Sequence, residues 1–126
     1  MKLNTFMAIA AVLAFVFGLG FLLFPAQVMS LYGVTLEAGG QWVGRYLGSA
    51  FLGVSVLTWL ARNAEKDGAL RAILLGVFVL SITGLAVAIL DVIYGPGNAL
   101  VWSTVAIYLF LTVGFGYFTF VKPDGS

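Results

Sequence analysis

Four apolar segments dominate this chain, and each is long enough to cross a lipid bilayer as one helix. They cover residues 3–24, 42–61, 69–94 and 99–121, and short polar or glycine-rich stretches separate them. A helix that spans the hydrocarbon core needs about 20 apolar residues. In lipid every backbone polar group must be hydrogen-bonded within the structure, which leaves helices and closed barrels as spanning forms. The pattern predicts an all-α integral membrane four-helix bundle, with residues 1–126 as a single domain.

Composition excludes several classes of partner and chemistry. Of the 126 residues, 62% are hydrophobic and 9% are charged, whereas a soluble domain is about 25% charged. The net charge of +1 and the absence of a basic cluster argue against a nucleic-acid partner. The chain has no cysteine and no histidine, so thiolate or imidazole metal ligands and histidine-based catalytic triads are excluded. We therefore predict no metal and no cofactor, and membrane lipids as the surroundings.

The connection between the first two spans contains a candidate short helix at the membrane surface. Pro25 suits the first turn of a helix and Gly33 suits its end. In such an interfacial helix, Val28, Leu31 and Tyr32 would face lipid. A plain loop is the alternative.

Basic residues predict the orientation of the bundle. With four spans, one side of the membrane receives Lys2, Arg62, Lys66, Arg71 and Lys122, while the opposite connections contain neither lysine nor arginine. Cytoplasmic loops carry an excess of these residues. Both termini are therefore predicted to be cytoplasmic. Tryptophan and tyrosine near the ends of the spans, as expected of an aromatic belt, are Trp42, Trp59, Trp102, Tyr32, Tyr46, Tyr94 and Tyr117.

Small residues recur at helical spacing in every span, and close helix packing in lipid depends on such residues. The four sets are Ala10, Ala14 and Gly18; Gly40, Gly44, Gly48 and Ser55; Ser81, Gly84 and Ala88; and Thr104, Tyr108, Thr112 and Gly116. Two interpretations stand. Gly44, Gly48 and Gly84 pack helices within the bundle, or a glycine face serves a homodimer.

Two opposite charges lie inside the apolar segments. Arg45 is about one turn inside the second span and Asp91 about one turn inside the third, at the same expected depth. An unpaired charge in hydrocarbon is costly, so we predict an Arg45–Asp91 pair, with Glu37 as a third member and Ser49 one turn from the arginine. The pair is either a structural salt bridge or a binding site for a lipid headgroup, quinone or small anion. Separate extension of each side chain to the interface is the remaining alternative.

The first half of the chain resembles a known group of membrane proteins. The resemblance is carried by Gly-Phe-Leu-Leu-Phe-Pro at 20–25, Leu-Tyr-Gly at 31–33 and Arg-Tyr-Leu-Gly at 45–48. These motifs resemble the DoxX-like group of small bacterial four-helix proteins. The resemblance implies a multi-pass protein of the bacterial inner membrane, and Arg45 is the residue it identifies as part of the pattern. Some members of that group are associated with membrane redox complexes, including thiosulfate–quinone oxidoreductase.

The sequence supports two functional hypotheses. The first is a non-enzymatic accessory subunit or lipid-interacting component of a membrane complex, partnered by lipids and by other membrane subunits or a second copy. It rests on the absence of a catalytic constellation, since Asp91 has no second carboxylate within its span. The alternative is a small transporter or quinone-associated redox subunit that uses Arg45 and Asp91.

The orientation can be tested with reporter fusions. Alkaline phosphatase fused after Ser126 should be inactive, because a cytoplasmic C-terminus keeps the enzyme from the compartment where it folds. Green fluorescent protein at the same position should be fluorescent. The reverse result, an active phosphatase and a dark fluorescent protein, would place the termini outside.

Overall fold

The computed structural model describes residues 2–95 and 97–121, so Pro96 and Lys122 lie outside the described residues. The helices are α1 (Leu3–Leu23), α2 (Pro25–Leu31), α3 (Ala38–Ala61), α4 (Gly68–Tyr94) and α5 (Val101–Gly116), and α5 continues as a π-helical turn over Tyr117–Val121. Within this part of the chain, four helices are long and apolar enough to cross a membrane. The prediction of an all-α membrane four-helix bundle is confirmed.

The short helix between the first two spans is also confirmed. Pro25 occupies its first turn, and Gly33 follows it with a φ of 77°, a left-handed conformation that favours glycine. Leu31 is exposed. The prediction that Tyr32 faces lipid is wrong, because its hydroxyl lies 3.0 Å from the hydroxyl of Thr104 inside the bundle. A phenol at this depth satisfies its polar group better with a protein partner than in lipid.

Helix α3 begins at Ala38, four residues before the predicted start of the span at residue 42. The added turn contains Gly39, Gly40 and Gln41, which are too polar or too small to register as an apolar segment. Its backbone is nevertheless helical, and the Gln41 side chain donates to the Leu36 carbonyl at 3.2 Å. The helix is therefore longer than its apolar part.

Helices α1 and α3 form one tightly packed pair. At Gly48 their backbones meet, since a β-carbon there would lie 2.5 Å from the Leu22 nitrogen and 2.7 Å from the Gly18 oxygen. The Ser55 hydroxyl donates to the Ala11 carbonyl at 2.8 Å, two turns further along. Small residues and an interhelical hydrogen bond thus hold this pair together, as expected in lipid.

Helices α4 and α5 form the second pair. Gly84 of α4 leaves the space that the Tyr108 ring of α5 fills, and Gly116 of α5 faces the Phe78 ring of α4. The Asp67 side chain caps α4 by accepting a hydrogen bond from the Leu70 nitrogen at 3.1 Å. In this pair a glycine on one helix meets an aromatic ring on the other. The ring therefore separates the backbones of α4 and α5, which do not touch at these positions.

The two pairs join at the end of the bundle where residues 2 and 121 lie, which we call the termini end. Phe6 of α1 is 2% exposed, and its ring centroid lies 4.8 Å from that of Phe115 and 5.7 Å from that of Phe118. Gly114 provides room for the Phe6 ring. Leu74 of α4 is 1% exposed in the same cluster. An aromatic core therefore closes this end.

At the opposite end, which we call the α2 end, hydrogen bonds from Asn98 join the pairs. Its backbone nitrogen donates to the Tyr32 carbonyl at 2.7 Å, and its side-chain amide donates to the Leu31 carbonyl at 3.2 Å. Its side-chain oxygen accepts from the Leu100 nitrogen at 3.0 Å. One asparagine thus ties α2 to the turn between α4 and α5.

The backbone contact at Gly48 predicts a position-specific loss of stability. Gly48→Leu should lower the free energy of unfolding by about 1–3 kcal/mol or more, because the new side chain must push α1 away. The measurement is the melting temperature of the purified protein in mild detergent.

Gly53→Leu is the matched control on the same helix. Nothing lies within 4 Å of a β-carbon at Gly53, and leucine is the better helix former, so its melting temperature should stay unchanged or rise. Equal losses in both variants would show that leucine is harmful anywhere on α3 and would contradict the packing contact.

Candidate functional site

A cavity of about 570 Å³ lies between the two helix pairs. It occupies the middle of the bundle, between the contacts at the termini end and those at the α2 end. Residues from all five helices line it, together with the segment that follows α2 and Gly97 of the turn before α5. Along α4 the lining runs from Val77 to Asp91, which is about 21 Å at 1.5 Å per residue. The cavity is partly open to the surroundings of the bundle.

Most of the cavity wall is apolar. Each helix presents one face to it, with lining residues three or four positions apart. On α1 and α3 these are Ala10, Leu13, Ala14, Phe17 and Phe21, and Leu47, Phe51 and Val54. Because the lipid-facing sides of these helices are equally apolar, hydropathy alone does not distinguish the cavity faces from the others.

Polar side chains concentrate at the α2 end of the cavity. They are Asp91 near the end of α4, Tyr32 just after α2, and Thr104 on the first turn of α5. Tyr108 lies one turn further along α5, and its ring is beside Gly84, midway along the α4 lining. The Tyr32 and Thr104 hydroxyls are hydrogen-bonded to each other. A long apolar wall that ends in a group of hydroxyls and one carboxylate matches an amphipathic molecule.

The opposite end of the cavity presents little polarity. Thr58 lies in the wall near the termini end and is 1% exposed. Its hydroxyl is buried and has no hydrogen-bond partner among residues 2–95 and 97–121. Since that oxygen is covered by neighbouring atoms, Phe115, Val77 and the carbon atoms of Thr58 form the surface that an occupant would meet.

The structure does not bring Arg45 and Asp91 together. Both side chains are exposed, and they form no ion pair within the 4.0 Å that defines one. Asp91 lines the cavity and Arg45 does not. The predicted pair assumed that consecutive antiparallel spans are neighbours, but α3 packs against α1 and barely touches α4.

The remaining predicted binding residues, Glu37 and Ser49, also lie apart from the cavity wall. Both are exposed. Glu37 is extended at the start of α3, and its side chain does not cap the helix. Thus Asp91 alone of the predicted binding residues lines the cavity.

The predicted packing glycines occupy helix contacts. Gly44 and Gly48 are buried. A β-carbon at Gly44 would lie 3.1 Å from the Pro25 side chain. Gly48 meets α1 and Gly84 meets Tyr108, as described above.

Several site residues escape sequence reasoning. The sequence predicts that Tyr32 faces lipid, whereas its side chain lines the cavity. Thr104 and Tyr108 belong to the polar stripe of the fourth span, and that stripe points to the cavity. The small residues Ala10, Ala14, Gly84 and Ala88 of the first and third spans also line it. Asn98, which closes the α2 end, sits in a turn whose role depends on contacts with a distant segment.

The absence of an ion pair between Arg45 and Asp91 predicts additive effects of mutation. Arg45→Gln and Asp91→Asn should change the free energy of unfolding independently, and the double variant should equal their sum within about 0.5 kcal/mol. Detergent melting or denaturant titration of the four proteins provides the measurement. A coupling energy above about 1 kcal/mol would show that the two charges interact.

Comparison with known proteins does not assign a function to this cavity. No family model, curated protein or solved structure matches the chain. Function is therefore inferred from the cavity and from the residues that line it.

Proposed function

We propose that this small integral membrane protein is a lipid-interacting component that holds one amphipathic, membrane-dissolved molecule between its two helix pairs. The observation that carries the proposal is the cavity of about 570 Å³, apolar along its length and polar at the α2 end. Its volume lies within the range of about 300–1,000 Å³ that is typical of small-molecule sites.

The shape of the cavity supports an elongated occupant. Its lining extends over four turns of α4, from Val77 to Asp91. An apolar chain placed there would contact aromatic rings such as Phe17 and Phe51, gaining dispersion energy along its whole length. The headgroup would then lie beside Tyr32 and Thr104 at the α2 end.

The lining chemistry supports binding rather than catalysis. Of the described residues that line the cavity, Asp91 is the one with a carboxylate. The sequence contains no histidine or cysteine that could serve as a base or nucleophile. We therefore propose a non-enzymatic role, in which the loaded protein serves as an accessory subunit of a membrane complex.

The alternative of a transporter or quinone-associated subunit required an Arg45–Asp91 site. Because Arg45 is outside the cavity wall and forms no ion pair with Asp91, no observation favours that mechanism. The proposal therefore rests on the amphipathic cavity and not on an Arg45–Asp91 site.

The proposed location is the bacterial inner membrane, with both termini cytoplasmic. Support comes from the DoxX-like motifs of residues 20–25, 31–33 and 45–48 and from the one-sided distribution of basic residues. In that orientation the α2 end of the cavity is at the outer leaflet. The bound headgroup would then belong to a molecule of that leaflet.

Filling the cavity should displace its occupant. Wild-type protein purified in mild detergent should retain about one amphipathic molecule per chain, measured by native mass spectrometry and by mass spectrometry of an organic extract. Ala14→Trp should lose it, because Ala14 lines the cavity and an indole occupies much of the space available to a single chain.

Ala86→Trp is the matched control, since Ala86 is exposed and is not part of the cavity wall. It should retain the molecule. Ile107→Trp, which fills the cavity from α5, replaces Ala14→Trp if that variant does not melt cooperatively. A folded Ala14→Trp protein that retains as much as Ala86→Trp, or a wild type that carries nothing, would contradict the proposal.

A further inference from the structure

Asp91 gives the α2 end of the cavity a negative charge that no described lining residue balances. No lysine or arginine is among the described residues of the cavity wall. Arg45 is at the same end of the bundle but lies outside that wall. From this we infer that the occupant is an amphipathic amine, a single apolar chain with a cationic head that pairs with Asp91. This inference rests on the proposed function.

The ends of the helices reinforce this preference. Asp91 is in the last turn of α4, which ends at Tyr94, and the carbonyl groups of a helix C-terminus favour cations. Helix α5 begins at the same end, but its first N–H groups already donate to the turn: Val101 to the Asn98 carbonyl and Trp102 to the Ala99 carbonyl. They are therefore not free to receive an anionic head.

The uncharged groups at this end also suit an ammonium group. The phenol ring of Tyr32 lines the cavity at this end, and aromatic faces attract cations. The Tyr32 and Thr104 hydroxyls have lone pairs available as acceptors beyond their mutual bond. An ammonium has three donors and no acceptor, so carboxylate and hydroxyl oxygens can satisfy it together.

The same charge disfavours the anionic ligands considered from the sequence. A fatty acid or an anionic phospholipid headgroup would meet the Asp91 carboxylate without a lining cation to offset the repulsion. A neutral head of equal chain length would bind through the hydroxyls alone. The headgroup charge therefore separates these ligand classes.

The test compares three amphiphiles with the same chain: dodecylamine, dodecanol and dodecanoate. Each is titrated into the purified wild-type protein in a nonionic detergent, and affinity is obtained from the ligand-dependent rise in melting temperature. Dodecylamine should bind about tenfold more tightly than dodecanoate, as expected for a charge-assisted hydrogen bond at a partly hydrated carboxylate.

Two variants identify the group responsible. Asp91→Asn should reduce the preference for the amine to about threefold or less while leaving the affinity for dodecanol unchanged. Glu37→Gln, which removes an exposed carboxylate outside the cavity wall, should leave the preference intact. A preference that persists in Asp91→Asn, or dodecanoate binding as tightly as the amine to wild type, would overturn the inference.

Ala14→Trp separates failure of this inference from failure of the proposed function. If all three amphiphiles bind wild type equally and all are lost in Ala14→Trp, the cavity binds apolar chains and the amine assignment is wrong. If Ala14→Trp binds the three as wild type does, the cavity is not the binding site and both proposals fail.

Discussion

The close approach of α1 and α3 at Gly48 sets the geometry of the whole bundle. A β-carbon at Gly48 would lie within 2.9 Å of the Leu22 backbone, so the two helices are packed as closely as their backbones allow. Hydrophobic burial cannot drive such packing in lipid, and dispersion contacts and interhelical hydrogen bonds must replace it. The Ser55 bond to the Ala11 carbonyl is one of these. The pair is therefore a fixed unit against which the rest of the chain is arranged.

The second pair is built differently, and the contrast creates the cavity. Tyr108 fills the space left by Gly84, which spaces α4 and α5 by a ring. The two pairs then meet at their ends, through the rings around Phe6 at one end and through Asn98 at the other. Between these contacts α3 and α4 barely touch. A bundle joined at both ends and open in its middle encloses a volume that an elongated molecule can fill.

The surroundings of Arg45 and Asp91 depend on which helices pack together, and not on the fact that α3 and α4 are consecutive in the chain. Two opposite charges at equal depth on consecutive helices would be expected to pair, because a buried unpaired charge is costly. Here Arg45 is exposed on α3, where a long side chain can extend to the membrane surface. Asp91, which is also exposed, lies on the cavity wall. Because Asp91 lines the cavity and Arg45 does not, the polar end of the cavity carries a negative charge.

The four spans, the short helix that starts at Pro25 and the packing role of Gly48 were predictable from the sequence, because apolar length, proline and glycine act through local geometry. The sequence also placed Thr104 and Tyr108 on one stripe. The folded bundle was needed to show which helices are neighbours, that Tyr32 faces inward, and that Asp91 lines the cavity without Arg45. In a chain whose helices are apolar on every side, hydropathy does not distinguish a face toward lipid from a face toward protein. That distinction depends on contacts between residues far apart in the chain, such as the one between Tyr32 and Thr104.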